Sequence, residues 1–555
     1  MIRWCIALVA AAFLAGASCK QRASKQTAEA PASPEIWFGD LKEHRVDATT
    51  AADVVRSIWS HLAGGSRTIP DANRPTMLFV STSNAKRSQV VLGVGRTLKR
   101  AVESAIALAK ADTPAPLRWL KVDFVTRVAR GYKYAPAHDG LVGVAFSRKS
   151  RSAIVPGVVM LASRSKRKTF ERDAKFSFHT SEHFYDAPLV VPMFRGHARS
   201  RELTRPALLA AARSAGRYLV RMRHDNGKFI YSYDAARNRD RGSYNLVRHA
   251  GTIYSMLQLY RVKKDEKLLA AANESINYLL GFVKPFRGAM VLKSKDRIKL
   301  GGVALVAVAL IEHVRATGSK QHLKVAQQLC SYMVSAQRKD GSFVHSRKFP
   351  GGEERDFRSQ YYPGEAMLGL LRTHSVDKNP KWLDAAERAA RYLITVRDKG
   401  KATSELIHDH WLLYALNELY RARKKPLYLT HASRIAQAIT DSQLTKSVPE
   451  DYVGGYRPPP RSTPAATRSE GLLAAHSLIR EFGDQQLAKR IRRAVEMGVG
   501  FQLHTQITRE RAMYFRDPRR GLGGFTRSLT NFEVRIDYVQ HNISALILLH
   551  QLLAP

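Results

Sequence analysis

Beyond residue 200 the apolar and polar positions follow two alternating patterns. In the first, charged residues flank an apolar stripe at helical spacing: Pro206 to Arg223, Asp265 to Phe282, Gln321 to Gln337, Pro380 to Asp398, Pro426 to Leu444 and Gln485 to Gln506. Each predicts an amphipathic helix with one face on a core and one in water. In the second, the run is apolar almost throughout and rich in small residues: Arg248 to Tyr260, Gly302 to His313, Gly364 to Thr373, His410 to Arg421, Glu470 to Glu481 and Gln540 to Leu553. A helix of that kind is buried on every side. Strict alternation of the two predicts six helical hairpins, with six half-exposed helices outside six buried ones.

The joints repeat as well. Gln337-Arg338-Lys339-Asp340-Gly341-Ser342-Phe343 leads to Tyr361-Tyr362-Pro363-Gly364-Glu365 at the head of an apolar run. The same grammar returns at Asp225-Asn226-Gly227-Lys228-Phe229, leading to Arg248-His249, and at Gly523-Gly524-Phe525, leading to Arg535-Ile536-Asp537-Tyr538-Val539-Gln540-His541. Shorter versions stand at Gly301, His408-Asp409-His410 and Arg468-Ser469-Glu470. These markers recur 46 to 70 residues apart, the signature of a two-helix repeat.

Residues 50–195 carry no such repeat. Thr76 to Ser81, Gln89 to Gly95, Trp119 to Val125 and Leu141 to Phe146 read as strands, and Thr97 to Lys110 reads as an amphipathic helix. A small α+β domain is expected there. Gly93-Val94-Gly95 lacks the rest of a dinucleotide fingerprint and reads as a turn.

The first 19 residues hold one Arg, an apolar centre and small residues before Cys19, which predicts an export signal. Ala15-Gly16-Ala17 resembles a signal-peptidase site, and Gly16-Ala17-Ser18-Cys19 resembles a bacterial lipobox with Gly16 in the usual Leu place. On the second reading Cys19 is lipidated, residues 20–49 are a tether, and the protein sits on the periplasmic or outer membrane only through its anchor; on the first it is secreted. At 555 residues the chain exceeds one ordinary core, so the expected plan is signal (1–19), tether (20–49), α+β domain (50–195) and helical domain (200–555).

Charge sharpens the picture. A formal net charge of +43 is spread along the chain rather than gathered in a tail, so it belongs to folded surfaces. It favours acidic polysaccharide or another anionic envelope polymer as partner, over nucleic acid, although a general basic bias without a ligand gives the same composition. Of the three cysteines Cys5 leaves with the signal, so Cys19 and Cys330 allow no thiolate metal site, and Cys330 falls among core residues of a helix.

The helix alternation, the Gln-x-x-Asp-Gly-x-Phe turn at 337–343 and the polar residues opening each buried run resemble the six-hairpin glycosidase-like superfamily and the related terpenoid-cyclase toroids, over about residues 200–553. The resemblance implies a mainly α chain, an (α/α)6 toroid preceded by a small α+β domain. The order of strands and helix in the N-terminal domain is similar to the AMMECR1-type domain. Asp-rich cyclase signatures are absent.

In such a toroid the inner helices run parallel, and the residues opening them share one mouth. The candidates for catalysis are Asp409, Glu470, Glu365, Asp537 and His410; those for binding substrate are Arg248, His249, Tyr361, Tyr362, Arg468, Arg535, Tyr538 and His541. Two carboxylates across a sugar would serve glycoside hydrolysis, with Asp409 and Glu470 as the first choice. A Tyr or His beside an Arg or a neutral partner would serve a lyase or epimerase acting on uronic acids, which the resemblance includes. The rival is a non-catalytic envelope module that binds an anionic polymer or a partner protein. Carboxylates in a first helical turn also cap free N–H groups, so each has a structural alternative. His408-Asp409-His410 spaces its side chains off any one helix face; no metal and no cofactor is expected, and the oligomeric state is left open.

Overall fold

A computed structural model describes residues 45–133, 135, 139–148, 151–163 and 174–554. The expected export signal, Cys19 and most of the expected tether lie outside them. Two compact units result. The first holds the described residues up to 200 together with 235–238 and 507–522, and the second holds 201–234, 239–506 and 523–554.

The first unit is a sheet covered by two helices, α1 (Ala48–Leu62) and α2 (Leu98–Asp112). Asp47 and Thr97 start them by accepting hydrogen bonds from Thr50 N and Arg100 N. The strands β1 (Thr76–Ser83), β2 (Ser88–Gly95), β3 (Trp119–Arg130), β4 (Val142–Arg148), β5 (Arg151–Val155) and β6 (Ala174–Asp186) pair antiparallel in the order β2-β1-β3-β6-β4-β5. The helix α3 (Gly157–Ser163) and the strands β7 (Leu189–Phe194) and β8 (His197–Ala198) complete the sheet unit. Alternation divides its faces: Leu78, Val80, Val122 and Phe124 pack under α1 and α2, while Met77, Phe79 and Phe178 form a second core. On that second face Lys121 is fully buried between Asp123 and Glu182, its Nζ 2.9 Å from Glu182 Oε2. The Tyr514 ring lies 5.7 Å from the same Nζ, and its hydroxyl is 3.0 Å from Ser81 Oγ.

The second unit is a closed ring of hairpins. Its outer helices are α4 (Arg205–Arg221), α6 (Glu266–Leu280), α8 (Leu323–Ser335), α10 (Pro380–Tyr392), α12 (Pro426–Asp441) and α14 (Gln485–His504). Its inner helices are α5 (Leu246–Val262), α7 (Leu300–Thr317), α9 (Tyr362–Asp377), α11 (His410–Ala422), α13 (Ser462–Phe482) and α16 (Ile536–Leu552), the short α15 (Arg509–Ala512) belonging to the first unit. Each inner helix packs on the next, and α16 closes the circle on α5. The inner helices run parallel: a Cβ on Gly301 would meet Glu365, and one turn further Ala304 faces Gly369. This is the (α/α)6 toroid that the sequence predicts. α7 is apolar and long enough to cross a membrane, but 89% of it is buried inside the ring.

The repeated turn has a physical reason. Gln337 Nε2 donates to Gly341 O at 3.2 Å and to Ala385 O on α10 at 2.9 Å, while Gly341, at φ +93°, lies flat against the Arg388 carbonyl. Gln443 ties Gly454 to Ala494 on α14, and Gln506 ties Gly523 to Ala211 on α4, in the same way. At the first hairpin Arg223 bonds Glu274 where Gly227 seats on α6. A side-chain amide that donates to two carbonyls satisfies buried backbone oxygens, and only glycine allows the approach. The turn is thus a clasp between neighbouring outer helices.

Candidate functional site

Three inner helices meet around two histidines. Asp409 caps α11, accepting from Trp411 N at 3.0 Å and Leu412 N at 3.3 Å, which places His410 in the first turn. His410 is 4% exposed, and neither ring nitrogen has a hydrogen-bond partner among the described residues. His541, in the second turn of α16, donates from Nδ1 to Glu470 Oε1 at 2.7 Å. Tyr414, one turn below His410, donates to the other Glu470 oxygen at 3.2 Å. The two imidazole rings stand 5.1 Å apart at 82°. Trp411 walls them, 4.5 Å from His410 and 6.1 Å from His541, and Tyr361, 38% exposed, forms the lip 6.2 Å from His410.

The electrostatics follow from burial. His410 is held well below the usual imidazole range by burial, then by His541 and Arg468, so it is neutral at pH 7. Burial pushes Glu470 up, and His541 and Tyr414 oppose that push. The Tyr414 phenol is raised by burial and by Glu470, so it stays a donor. Glu470, His541 and Tyr414 therefore fix one another: with Nδ1 committed to the carboxylate, Nε2 of His541 is the nitrogen left to face a ligand. His410, Glu470 and His541 also each offer a ligand atom within 4.8 Å of the others, a set able to hold a divalent metal. The 2.7 Å Nδ1–Oε1 distance is that of a hydrogen bond.

The remaining carboxylates are placed differently. α13 begins eight residues ahead of the apolar run, so Glu470 lies two turns inside it, fully buried, and not at a helix head. Asp409 is fully buried as a cap. Glu365 packs its Oε2 against Gly301, where any Cβ would collide with it. Burial, then Asp409, pushes Glu365 up to about 8, and burial pushes Asp409 up to about 7. Glu365 Oε2 and Asp409 Oδ2 have no hydrogen-bond partner among the described residues. Asp537 is clamped by two arginines, Arg535 at 2.6 and 2.9 Å and Arg248 at 3.2 Å.

The binding candidates divide as sharply. Arg248 and Arg535 are spent on Asp537, with Arg248 also on the Tyr231 hydroxyl and Arg535 stacked 4.5 Å over Tyr538. His249 is fully buried between Tyr244 and Ser275 O, both nitrogens bonded, and burial pushes it down to about 4; it ties α5 to α6. Tyr362 is buried against His345 and Phe357. Of the sequence candidates, Glu470, Tyr361 and Arg468 gather around the His410–His541 pair. Sequence reasoning missed Tyr414, whose only signal is its position four residues after His410 on the same helix face. Residues 516–521, a loop with three arginines, belong to the first unit.

No family model matches the chain, and no curated protein sequence matches it. Among solved structures it is similar to a D-mannose isomerase, with 15% identity and a TM-score of 0.48 over 63% of this chain and 97% of that one. It is similar to cellobiose 2-epimerase from Bacillus thermoamylovorans, with 14% identity and a TM-score of 0.48 over 61% and 96%. A family 76 glycoside hydrolase from Bacteroides thetaiotaomicron gives 10% identity and a TM-score of 0.47 over 79% and 97%.

Proposed function

We propose that the toroid mouth abstracts a proton from a sugar carbon next to a carbonyl or carboxyl group, as an epimerase, isomerase or lyase does. The carrying observation is the His410–His541 pair, 5.1 Å apart, one ring oriented by Glu470 and the other without a hydrogen-bond partner among the described residues. His541 Nε2 takes the proton, and Glu470 stabilises the imidazolium that forms. His410, held neutral, donates an N–H to the developing enolate oxygen, which suits an uncharged imidazole in a dry site. The enolate has two fates. Reprotonation of the same carbon from the opposite face returns an epimer, and reprotonation at the neighbouring carbon returns an isomer; proton delivery from His541 to a β-oxygen expels it and leaves an unsaturated sugar. Tyr361, exposed at the lip, supplies an aromatic face for a sugar ring, with Trp411 packed behind the histidines.

Hydrolysis is the second reading, favoured by Glu365 Oε2 and Asp409 Oδ2, which have no partner among the described residues, and by the raised proton affinities of the two carboxyls. The test is to incubate the protein in D2O with a panel of acidic and neutral oligosaccharides. Proton exchange into carbon, or ultraviolet absorbance from unsaturated products, supports the first reading. Release of reducing ends without either supports hydrolysis. Binding with no turnover of any kind supports an envelope module at the cell surface.

A further inference from the structure

Three arginines stand at the mouth without a carboxylate. Arg457 lies in the insertion before α13, Arg461 is the residue before its first turn, and Arg468 lies two turns in, just above Glu470. Among the described residues none of the three makes an ion pair. The contrast with neighbouring arginines is clear: Arg248 and Arg535 hold Asp537, Arg372 holds Glu418, and Arg423 holds Asp384 and Glu387. Arg468 is half-buried, and its fixed partners are neutral. Nε donates to His408 Nδ1 at 3.1 Å, Nη1 donates to Pro464 O at 3.1 Å, and the guanidinium stacks 4.6 Å over Tyr456.

These contacts aim the group and leave Nη2 unbonded among the described residues. They do nothing to its charge. Arg457 and Arg461 press on Arg468 with like charge, and Arg468 in turn acts on His410. Repulsion among three guanidiniums, one of them partly desolvated, is relieved when an anion enters.

We propose that Arg468, backed by Arg457 and Arg461, is the subsite for the carboxylate of a uronic-acid unit. The inference rests on the reading of the mouth as a proton-abstracting site and names its substrate class. A carboxylate on Arg468 places the adjacent C–H at the histidine pair. There Arg468 neutralises the charge that builds up on the carboxyl oxygens as His541 takes the proton, and His410 donates to one of them. Electrons move from the C–H bond into the carboxyl group; nothing is oxidised and no co-reactant is needed.

The probe is an oligogalacturonate and its fully methyl-esterified form, which has the same skeleton without the charge, titrated calorimetrically into the whole protein. The wild type is expected to bind the acid about tenfold or more tightly than the ester. Arg468→Gln, and separately Arg457→Gln with Arg461→Gln, should abolish that preference. Arg490→Gln, which removes an exposed arginine paired with Asp441, controls for net charge and should retain it. Equal affinity for acid and ester, or equal loss of preference in Arg490→Gln, would overturn the subsite. His541→Asn separates the two readings, because it should keep the preference while deuterium exchange stops. If the preference depends on Arg468 but no uronate exchanges in the wild type, the subsite stands and the catalytic reading falls.

Discussion

Nδ1 of His541 on α16 donates to Oε1 of Glu470 on α13 at 2.7 Å, and this one bond decides which nitrogen of the histidine faces the mouth. Glu470→Gln keeps the shape and removes the preference for that tautomer, since an amide accepts and donates equally well. Deuterium exchange into substrate should fall about 10²- to 10⁴-fold. Adding the change to His541→Asn should cost nothing more, because the two act as a unit. Additive losses would mean that Glu470 acts on its own.

Glu365 makes stability fall as pH rises. Its carboxyl is pushed up to about 8, by burial first and Asp409 second, from 4.5 in an unfolded chain. The folded form therefore binds the proton more tightly, so the stabilisation is complete below pH 4.5 and is lost as pH climbs towards 8. Asp409 adds a slope of the same sign between 3.8 and about 7. Glu365→Gln should remove its share, on the scale of about 1.4 kcal/mol per pKa unit, so the variant gains on the wild type between pH 4.5 and pH 8.5. Denaturant unfolding at the two pH values reads the difference, and parallel curves would show that Glu365 ionises freely.

Gly341→Ala tests the clasp. Its φ of +93° is unfavourable for alanine, and the added Cβ would meet the Arg388 carbonyl on α10. The expected cost is about 2–4 kcal/mol. Gly400 also has a positive φ, +72°, but open space around it, so Gly400→Ala should cost only about 1 kcal/mol. Equal melting temperatures for the two variants would show that the contact across the joint is unimportant.

In the first unit, Lys121→Met leaves Asp123 and Glu182 facing each other with no cation between them. Burial already pushes Asp123 up to about 6 with the lysine present. The loss should be about 3–5 kcal/mol, and replacing both carboxylates with apolar residues as well should recover part of it. Thermal unfolding of the single and triple variants settles the order.

The six hairpins were legible because burial on one side or on all sides writes itself into periodicity, and the observed helices fall on the predicted runs. The sheet unit was only half legible. β6 escaped because its apolar residues face two cores, and Lys121, Asp123 and Glu182 interrupt β3 and β6 with charges that only tertiary pairing explains. At the mouth, the polar residues heading the apolar runs did mark the region. What sequence could not give was direction. Asp409 and Asp537 read like catalytic acids, yet one caps its helix and the other joins two arginines. Arg468 and Arg248 read alike and differ entirely in whether a carboxylate answers them.

The glutamine and glycine clasps lie where outer helices hand the chain over to the inner ones, the same end of the ring as the histidines. Their bonds run from amide to backbone carbonyl, so they are indifferent to salt and to the identity of nearby side chains. On the proposed reading these bonds hold the mouth before any ligand arrives, and hydrogen exchange at the clasp amides should be the same with and without ligand. Selectivity would then be set by the side chains around the mouth and not by the clasps that hold it, so such a ring could be given a new task without being rebuilt.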